Sequence, residues 1–282
     1  MTISRTRSTL LILPAAILVF GFIMLPYISV LVMSFRLPGE GQTPYGEGFG
    51  LTAYRSFFSQ PYYLDSLPQT LWMGALTTFL CLVLAYPVAL HIALASRRWR
   101  GLLYGLVLSP LLVGIVVRSY GWTILLGNAG VINTVLRDWG LISRPIPLMY
   151  NDFGVILALA HVFLPFMVLP LLSTLSQMDH SVAQAARSLG AKRFTVFRRV
   201  TLPMSMPGIQ SGCILVFVLA VSSYVTPALI GGMRVKTTTI LVVDALLDQY
   251  QWPFGAAMAL VLAVSAGIIV LIFSRLTRMK WK

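Results

Sequence analysis

Hydrophobic residues in this chain gather into long runs, and six can be drawn, at about 10–34, 68–95, 102–126, 153–177, 207–230 and 255–274. Several exceed the roughly 18–20 residues that a helix needs to cross a ~30 Å hydrocarbon core. The intervening polar stretches are of two kinds. Some are rich in Arg and Lys, such as the tight turn Ser96-Arg97-Arg98-Trp99-Arg100 and the island Ser181 to Pro207. Others, at about 35–66, 127–152 and 231–254, carry glycine, proline, aromatic and acidic residues. The pattern predicts an all-α integral membrane protein of about six transmembrane helices, a single transmembrane domain over residues 1–282.

Composition agrees: 57% of the 282 residues are hydrophobic and 10% charged. A net charge of +13 suggests nucleic acid until the charges are placed. With the N-terminus in the cytoplasm, the inside segments hold Arg5, Arg7, Arg97, Arg98, Arg100, Arg187, Lys192, Arg193, Arg198, Arg199, Arg275, Arg278, Lys280 and Lys282, against one acid, Asp179. The remaining basic and acidic residues balance, so the whole excess sits on one side, as the positive-inside rule requires. The high basicity reports topology, and lipid rather than nucleic acid is the expected surface.

The island from Ser181 to Pro207 contains local stop and start signals. Good helix formers run from Ala183 to Leu189. Gly190 then offers the left-handed conformation that ends many helices. Leu202-Pro203 and Pro207 follow, and proline is tolerated in the first turn of a new helix. A short helix, a glycine stop, a basic aromatic segment and re-entry into the membrane are expected. An alanine-faced helix suits insertion into a groove. By charge alone, Arg187, Lys192, Arg193, Arg198 and Arg199 would equally hold an amphipathic loop against anionic lipid.

Elsewhere the signals are local. The first run is too long for the apolar part of a secretory signal peptide and is expected to be an uncleaved anchor. Tyr54, Phe57, Phe58, Tyr62 and Tyr63 suit an interfacial aromatic belt or a docked partner. His91 suits a polar contact near an interface. Arg118 lies 18 residues after Arg100, about 27 Å along an unbroken helix, which places it near the outer interface; an intramembrane cation is also a functional candidate. Val131, Ile132, Val135, Leu136 and Trp139 fall on one helical face and predict a short helix ended by Gly140. The fourth run holds His161 and two prolines, Pro165 and Pro170, that predict a kink. The fifth carries Ser222, Ser223, Tyr224 and Thr226 before Pro227, a polar set that lines a cavity or binds helices together. With Asp244, Asp248 and Trp252 of the next polar stretch, it forms a candidate translocation path for a cationic solute.

Several chemistries find no support. No G-x-x-x-x-G-K-[ST] is present, so ATP has no phosphate loop here. Neither catalytic nor metal-ligand spacing is visible, and Cys81 and Cys213 both fall inside apolar runs. An ion-coupled secondary carrier would want a mid-span acid or an inverted repeat, and the runs hold no such acid. Transport driven by a separate energy-converting partner is the remaining reading.

The run Q-A-A-R-S-L-G from Gln184, with V-T-L-P beginning ten residues after Gly190, resembles the E-A-A-x-x-x-G-(nine residues)-I-x-L-P signature of membrane permeases in binding-protein-dependent ABC importers. The resemblance implies a type I importer permease in which Ala183, Gln184, Ala185, Ala186, Arg187, Gly190, Leu202 and Pro203 form the coupling segment docked on the ATP-hydrolysing subunit. Gln184 stands where the signature has Glu, which implies a neutral hydrogen bond in place of a charged contact. V-R-S-Y-G-W from Val117, L-P-F-M-V-L-P from Leu164, L-P-M-S-M-P-G-I from Leu202 and Q-W-P-F-G-A-A from Gln251 are similar to the spermidine/putrescine permease family. That likeness implies a second permease, two ATP-binding subunits that hold ATP and Mg, and a periplasmic substrate-binding protein. It also implies a bacterial inner membrane and a small organic solute, with polyamine the leading class. Other solutes are carried on the same architecture, and Gln251 replaces an expected acid.

The expected topology has both termini and residues 178–206 in the cytoplasm. Single cysteines in a background lacking Cys81 and Cys213 test it with an impermeant thiol reagent: Gln42→Cys labels from outside and Ser188→Cys does not. The reverse pattern inverts the map.

Overall fold

The computed structural model describes residues 5–39 and 43–279, with side chains from 18 onward except those of residues 180, 278 and 279. Lys280 and Lys282 lie outside the described residues, as do the side chains of Arg5, Arg7 and Arg278. Four helical stretches among the described residues are long and apolar enough to cross a membrane: Pro61–Leu94, Ile115–Asp138, Asp152–Gln177 and Trp252–Thr277. A bent pair, Arg193–Met204 with Met206–Val221, supplies a fifth. The chain divides into two compact units, Met1–Asp65 with Leu241–Val264, and Ser66–Ile240 with Ser265–Lys282.

The first unit opens with α1 (Arg5–Ser34), whose described side chains are almost all exposed, Phe22 at 79% and Leu18 at 70%. A helix whose described side chains are apolar on all sides and exposed is suited to lipid or another subunit. Its end is anchored: Ser34 is fully buried, bonds back to the Leu31 carbonyl at 2.7 Å and accepts from the Tyr54 hydroxyl at 2.8 Å. A lone bridge between Arg36 and Phe49 closes the following loop, and the Arg36 guanidinium lies 4.7 Å from the Phe49 ring centroid. Helix α2 (Thr52–Ser59) turns Ala53 and Phe57 inward. Phe57 is fully buried, so it is core rather than part of an aromatic belt. A π turn, Asp244–Asp248, precedes α13 (Trp252–Met279), and Gly255 admits Leu246 so closely that a Cβ would stand 2.6 Å from its Cγ.

The second unit is built on α3 (Pro61–Leu94) from Ser66 onward, α4 (Arg97–Leu108), α5 (Ile115–Leu126), α6 (Val131–Asp138) and α7 (Asp152–Gln177). It continues with α8 (His180–Ser188), α9 (Arg193–Val196), α10 (Leu202–Met204), α11 (Met206–Val221) and the start of α12 (Thr238–Val243). Helix α7 carries the most buried face, including Val155, Ala158, Val162, Met167 and Leu171. It is capped by Asn151, whose side chain accepts from Gly154 N–H at 2.9 Å. It runs as one helix through Pro165 and Pro170, without a break at the predicted kink.

Helix α11 lies along α7 because two small residues one turn apart let the backbones approach, the G-x-x-x-G device of membrane helices. A Cβ on Gly208 would stand 2.7 Å from Thr174 Oγ1 and 2.9 Å from the Pro170 carbonyl oxygen; one on Gly212 would stand 2.7 Å from Met167 Sδ. Gly74 on α3 similarly admits Val221 Cγ2 at 2.6 Å.

Two expected spans are interrupted. The run 102–126 divides into α4, a 3-10 turn Ser109–Leu112, extended Val113, and α5 beginning after Gly114. Pro110 supplies no N–H and its ring opposes the Leu106 carbonyl; the Ser109 hydroxyl bonds that carbonyl at 2.9 Å. The run 207–230 loses its helix at Ser222, Ser223 and Tyr224 are non-helical, and a π turn begins at Pro227, which has no N–H to give the Ser223 carbonyl. The predicted short helix is α6, followed by Gly140 at φ +69°.

Gly208→Ala is expected to destabilise the purified protein by about 1–3 kcal/mol, because the new methyl meets backbone. Gly212→Ala costs less, because the Met167 thioether can move aside. Thermal unfolding midpoints in detergent check the order; equal midpoints for both variants and the parent would remove the close-packing account.

Candidate functional site

The segment expected to couple begins with Asp179, whose carboxylate accepts from Ser181 N–H at 2.8 Å and caps α8. Ala183 and Ala186 are half-buried, while Gln184, Ala185, Arg187 and Ser188 are exposed. The alanine face therefore seats the helix, Gln184 is presented outward, and Arg187 is exposed at the edge of that seat. Ala183 and Arg187 face Leu90, Leu94, Leu175 and Met178 at the ends of α3 and α7, around a hollow of about 150 Å³.

The helix stops as expected. Gly190 has φ +84°, with Gly190 N–H donating to the Arg187 carbonyl at 2.9 Å and Ala191 N–H to the Ala186 carbonyl at 3.1 Å. This is the paired bonding that satisfies orphan carbonyls beyond a helix C-terminus. A Cβ at Gly190 would meet nothing within 4 Å, so the demand is purely conformational. Leu189 beside it is 89% exposed.

Leu202 and Pro203, the end of the motif, are half-buried and form α10, which follows a π turn at Phe197–Thr201. From there the chain bends by 63° into α11. Ser205 sits fully buried at the bend, donating to the Leu202 carbonyl at 2.9 Å and sharing a 2.9 Å hydrogen bond with the Tyr86 hydroxyl. The Tyr86 ring also meets Phe197 edge-on, centroids 5.6 Å apart. One α3 side chain thus touches both sides of the bend.

The hydroxyl cluster after α11 does not act as one set. Ser222 bonds its own helix, at 2.8 Å to the Val218 carbonyl. Thr226 is fully buried and shares a 3.0 Å hydrogen bond with Ser119 of α5. Ser223 is buried, and its hydroxyl has no partner among the described residues. Tyr224 is 38% exposed. The first two hold helix to helix or helix to itself, and Ser223 and Tyr224 are not engaged in this way among the described residues. Asp244, Asp248 and Trp252 belong to the first unit. There Asp244 opens the π turn half-buried, Asp248 closes it exposed, and the Trp252 ring lies 6.2 Å from that of Tyr45.

Arg118 stands one turn into α5 rather than at the far end of a long helix, because the chain breaks before Ile115. That break removes the 27 Å estimate. Its Nη1 donates to the Val162 carbonyl at 3.3 Å, and its Nε has no partner among the described residues. Trp122 Nε1 donates to His161 Nδ1 at 3.2 Å. His91 is exposed and, with His161, borders an otherwise apolar hollow of about 560 Å³. Cys81 and Cys213 are buried free thiols.

A cleft of about 800 Å³ is lined by Gln60, Tyr63, Gln249, Tyr250, Gln251 and Phe254 among others. Tyr250 is in the left-handed region, φ +54°, closing the turn after Asp244–Asp248 with Gln251 N–H on the Ala245 carbonyl at 2.8 Å. Glycine or asparagine is usual there, so tyrosine marks the position.

Comparison with known proteins bears on this architecture directly. The family described as binding-protein-dependent transport system inner membrane component matches residues 1–279. The spermidine/putrescine transport system permease protein PotB of Haemophilus influenzae is 34% identical over 258 residues, covering 92% of this chain and 90% of that protein. PotB of Escherichia coli K12 is 33% identical, with 92% and 93% covered. The crystal structure of a bacterial ABC transporter involved in the import of the acidic polysaccharide alginate superposes at a TM-score of 0.72, covering 96% of this chain and 95% of that one. At 18% identity that likeness concerns the fold. With the family matched from end to end and two permeases aligned over nine-tenths of its length, the chain belongs to the binding-protein-dependent transport system inner membrane components, as a permease subunit of an ABC importer.

Proposed function

We propose that this permease imports polyamines of the spermidine and putrescine class, together with a second permease, two ATP-hydrolysing subunits and a periplasmic substrate-binding protein. The observation that carries the solute class is the unbroken likeness to two spermidine/putrescine permeases. In this reading both termini and residues 178–206 face the cytoplasm, and 35–66, 127–152 and 231–254 face outward. ATP and Mg are held by the partner subunits. Helix α8 seats its alanine face on the ends of α3 and α7 and offers Gln184 and Arg187 to the ATP-hydrolysing subunit. The solute passes Ser223 and Tyr224 where α11 ends, after Asp244 and Asp248 have raised the local concentration of cations.

The geometry supports a mechanical link. Movement of α8 is carried through the rigid turn at Gly190 and the bend at Ser205 into α11, whose far end opens into the break at Ser222. Because α11 is packed on α7 through Gly208 and Gly212, the two helices respond as one body.

Gly190→Val tests the coupling. Positive φ is strained for a β-branched residue by about 1–2 kcal/mol, while open space around Gly190 excludes a clash inside the subunit. The variant is expected to insert and fold normally but to retain the ATP-hydrolysing subunit poorly and lose about 90% of uptake, since about 1.4 kcal/mol is tenfold. Undiminished uptake at equal expression would count against a docked α8.

Solute class and path are tested together by uptake of labelled spermidine and putrescine in cells whose other polyamine importers are deleted. The parent restores uptake; Tyr224→Leu and Asp248→Asn each lower it several-fold, with assembly and basal ATP hydrolysis unchanged. No uptake by the parent would refute the solute class, and normal uptake by both variants would refute the path.

A further inference from the structure

Among the described residues, the first unit has a feature that the proposed path does not use. The cleft of about 800 Å³ has the size of a small-molecule site, and its lining among the described residues carries no charged side chain. Three side-chain amides, Gln60, Gln249 and Gln251, converge on it with two tyrosines, Tyr63 and Tyr250. None of the three amides is hydrogen-bonded to another described residue, so their oxygens are available to accept from a ligand. Tyr63 is fixed edge-on against Phe254, centroids 4.8 Å apart. Tyr250 is 64% exposed and is held by a turn that its own side chain disfavours.

That strain is the informative part. Non-glycine residues in the left-handed region persist where the surroundings impose them, and they cluster at functional positions. Glycine would satisfy this turn with no penalty, so what tyrosine adds is its ring. The electrostatic setting selects the sign of the ligand. The chain as a whole carries +13, yet residues 35–65 and 241–264 hold two bases, Arg36 and Arg55, against five acids, Glu40, Glu47, Asp65, Asp244 and Asp248. Arg36 is already stacked on the Tyr45 and Phe49 rings, at 5.7 and 4.7 Å. A locally negative surface gathers cations, and the amides and rings that line the cleft among the described residues then receive them by weaker contacts.

Resting on the polyamine reading, we infer that this cleft is a transfer subsite for an aliphatic di- or polyammonium cation. Its amide oxygens accept from the ammonium N–H groups, and the Tyr250 ring supplies a cation–π face. Phe254 and neighbouring proline rings cover the methylene chain. Such contacts are individually weak, which suits a site that must release its ligand onward.

The test compares the complete wild-type complex with its Tyr250→Gly and Tyr250→Phe forms in proteoliposomes. Three quantities are read: spermidine uptake at a fixed level of liganded binding protein, affinity for that binding protein, and the thermal midpoint. Glycine suits the turn better than tyrosine, so Tyr250→Gly keeps or raises the midpoint and its effect belongs to the lost ring. Uptake is expected to fall about threefold to tenfold in Tyr250→Gly, in line with one cation–π contact, and to stay within about twofold in Tyr250→Phe. Binding-protein affinity is unchanged in both. Normal uptake by Tyr250→Gly overturns the subsite and leaves the polyamine reading standing. A parallel loss of binding-protein affinity makes the cleft a protein-docking surface and overturns the subsite too. Absence of spermidine uptake by the wild type overturns both.

Discussion

The close approach of α11 to α7 is the contact on which the second unit depends. In a bilayer, apolar side chains gain little by leaving lipid for one another, so association rests on dispersion between surfaces that fit. Gly208 and Gly212 remove two methyl groups from the seam, leaving Thr174, Pro170 and Met167 in contact with the α11 backbone. Val216 and Ala220 extend the same buried surface toward the end of the helix. A seam this tight has few alternative packings. The bend at Ser205 and the break at Ser222 are therefore held at the two ends of one fixed strut.

Three interruptions of helix, at Ser109, Ser205 and Ser222, are accompanied by local polar compensation. Ser109 bonds back to the Leu106 carbonyl, Ser205 to Leu202 and Ser222 to Val218. Longer-range bonds then tie the interruptions to neighbouring helices, Ser205 to Tyr86 on α3 and Thr226 to Ser119 on α5. Bare backbone would be costly in hydrocarbon, and these hydroxyls lower that cost while leaving the chain bent. Ser223 differs from them, a buried hydroxyl with no partner among the described residues, where the proposed path opens.

Much of this was legible in the chain. The apolar runs and the turn at Gly190 follow from local chemistry, because a bilayer demands apolar length and a left-handed turn favours glycine. The helix over 131–138 and the stop at Gly140 were readable for the same reason. The breaks inside two apolar runs were not read, because Pro165 and Pro170 occur inside a continuous helix whereas Pro110 and Pro227 mark interruptions. Proline alone does not decide between these outcomes; the neighbours that satisfy the freed carbonyls do.

The candidate site divides along the same line. The residues of the proposed coupling segment lie close together along the chain, so their spacing alone singled them out. The hydroxyls of 222–226 were visible as a group, but only their partners separated glue from path: Ser222 is spent on its own helix and Thr226 on Ser119. Gln60 and Tyr63 lie nearly two hundred residues from Gln249 and Tyr250, and no local pattern joins them. The sequence by itself determined where the chain is apolar enough to enter a membrane and where α8 ends, because each depends on neighbours along the chain. Tertiary structure alone decided which polar groups are satisfied and which remain open, because hydrogen bonds and clefts are made by residues that the chain keeps apart and the fold brings together.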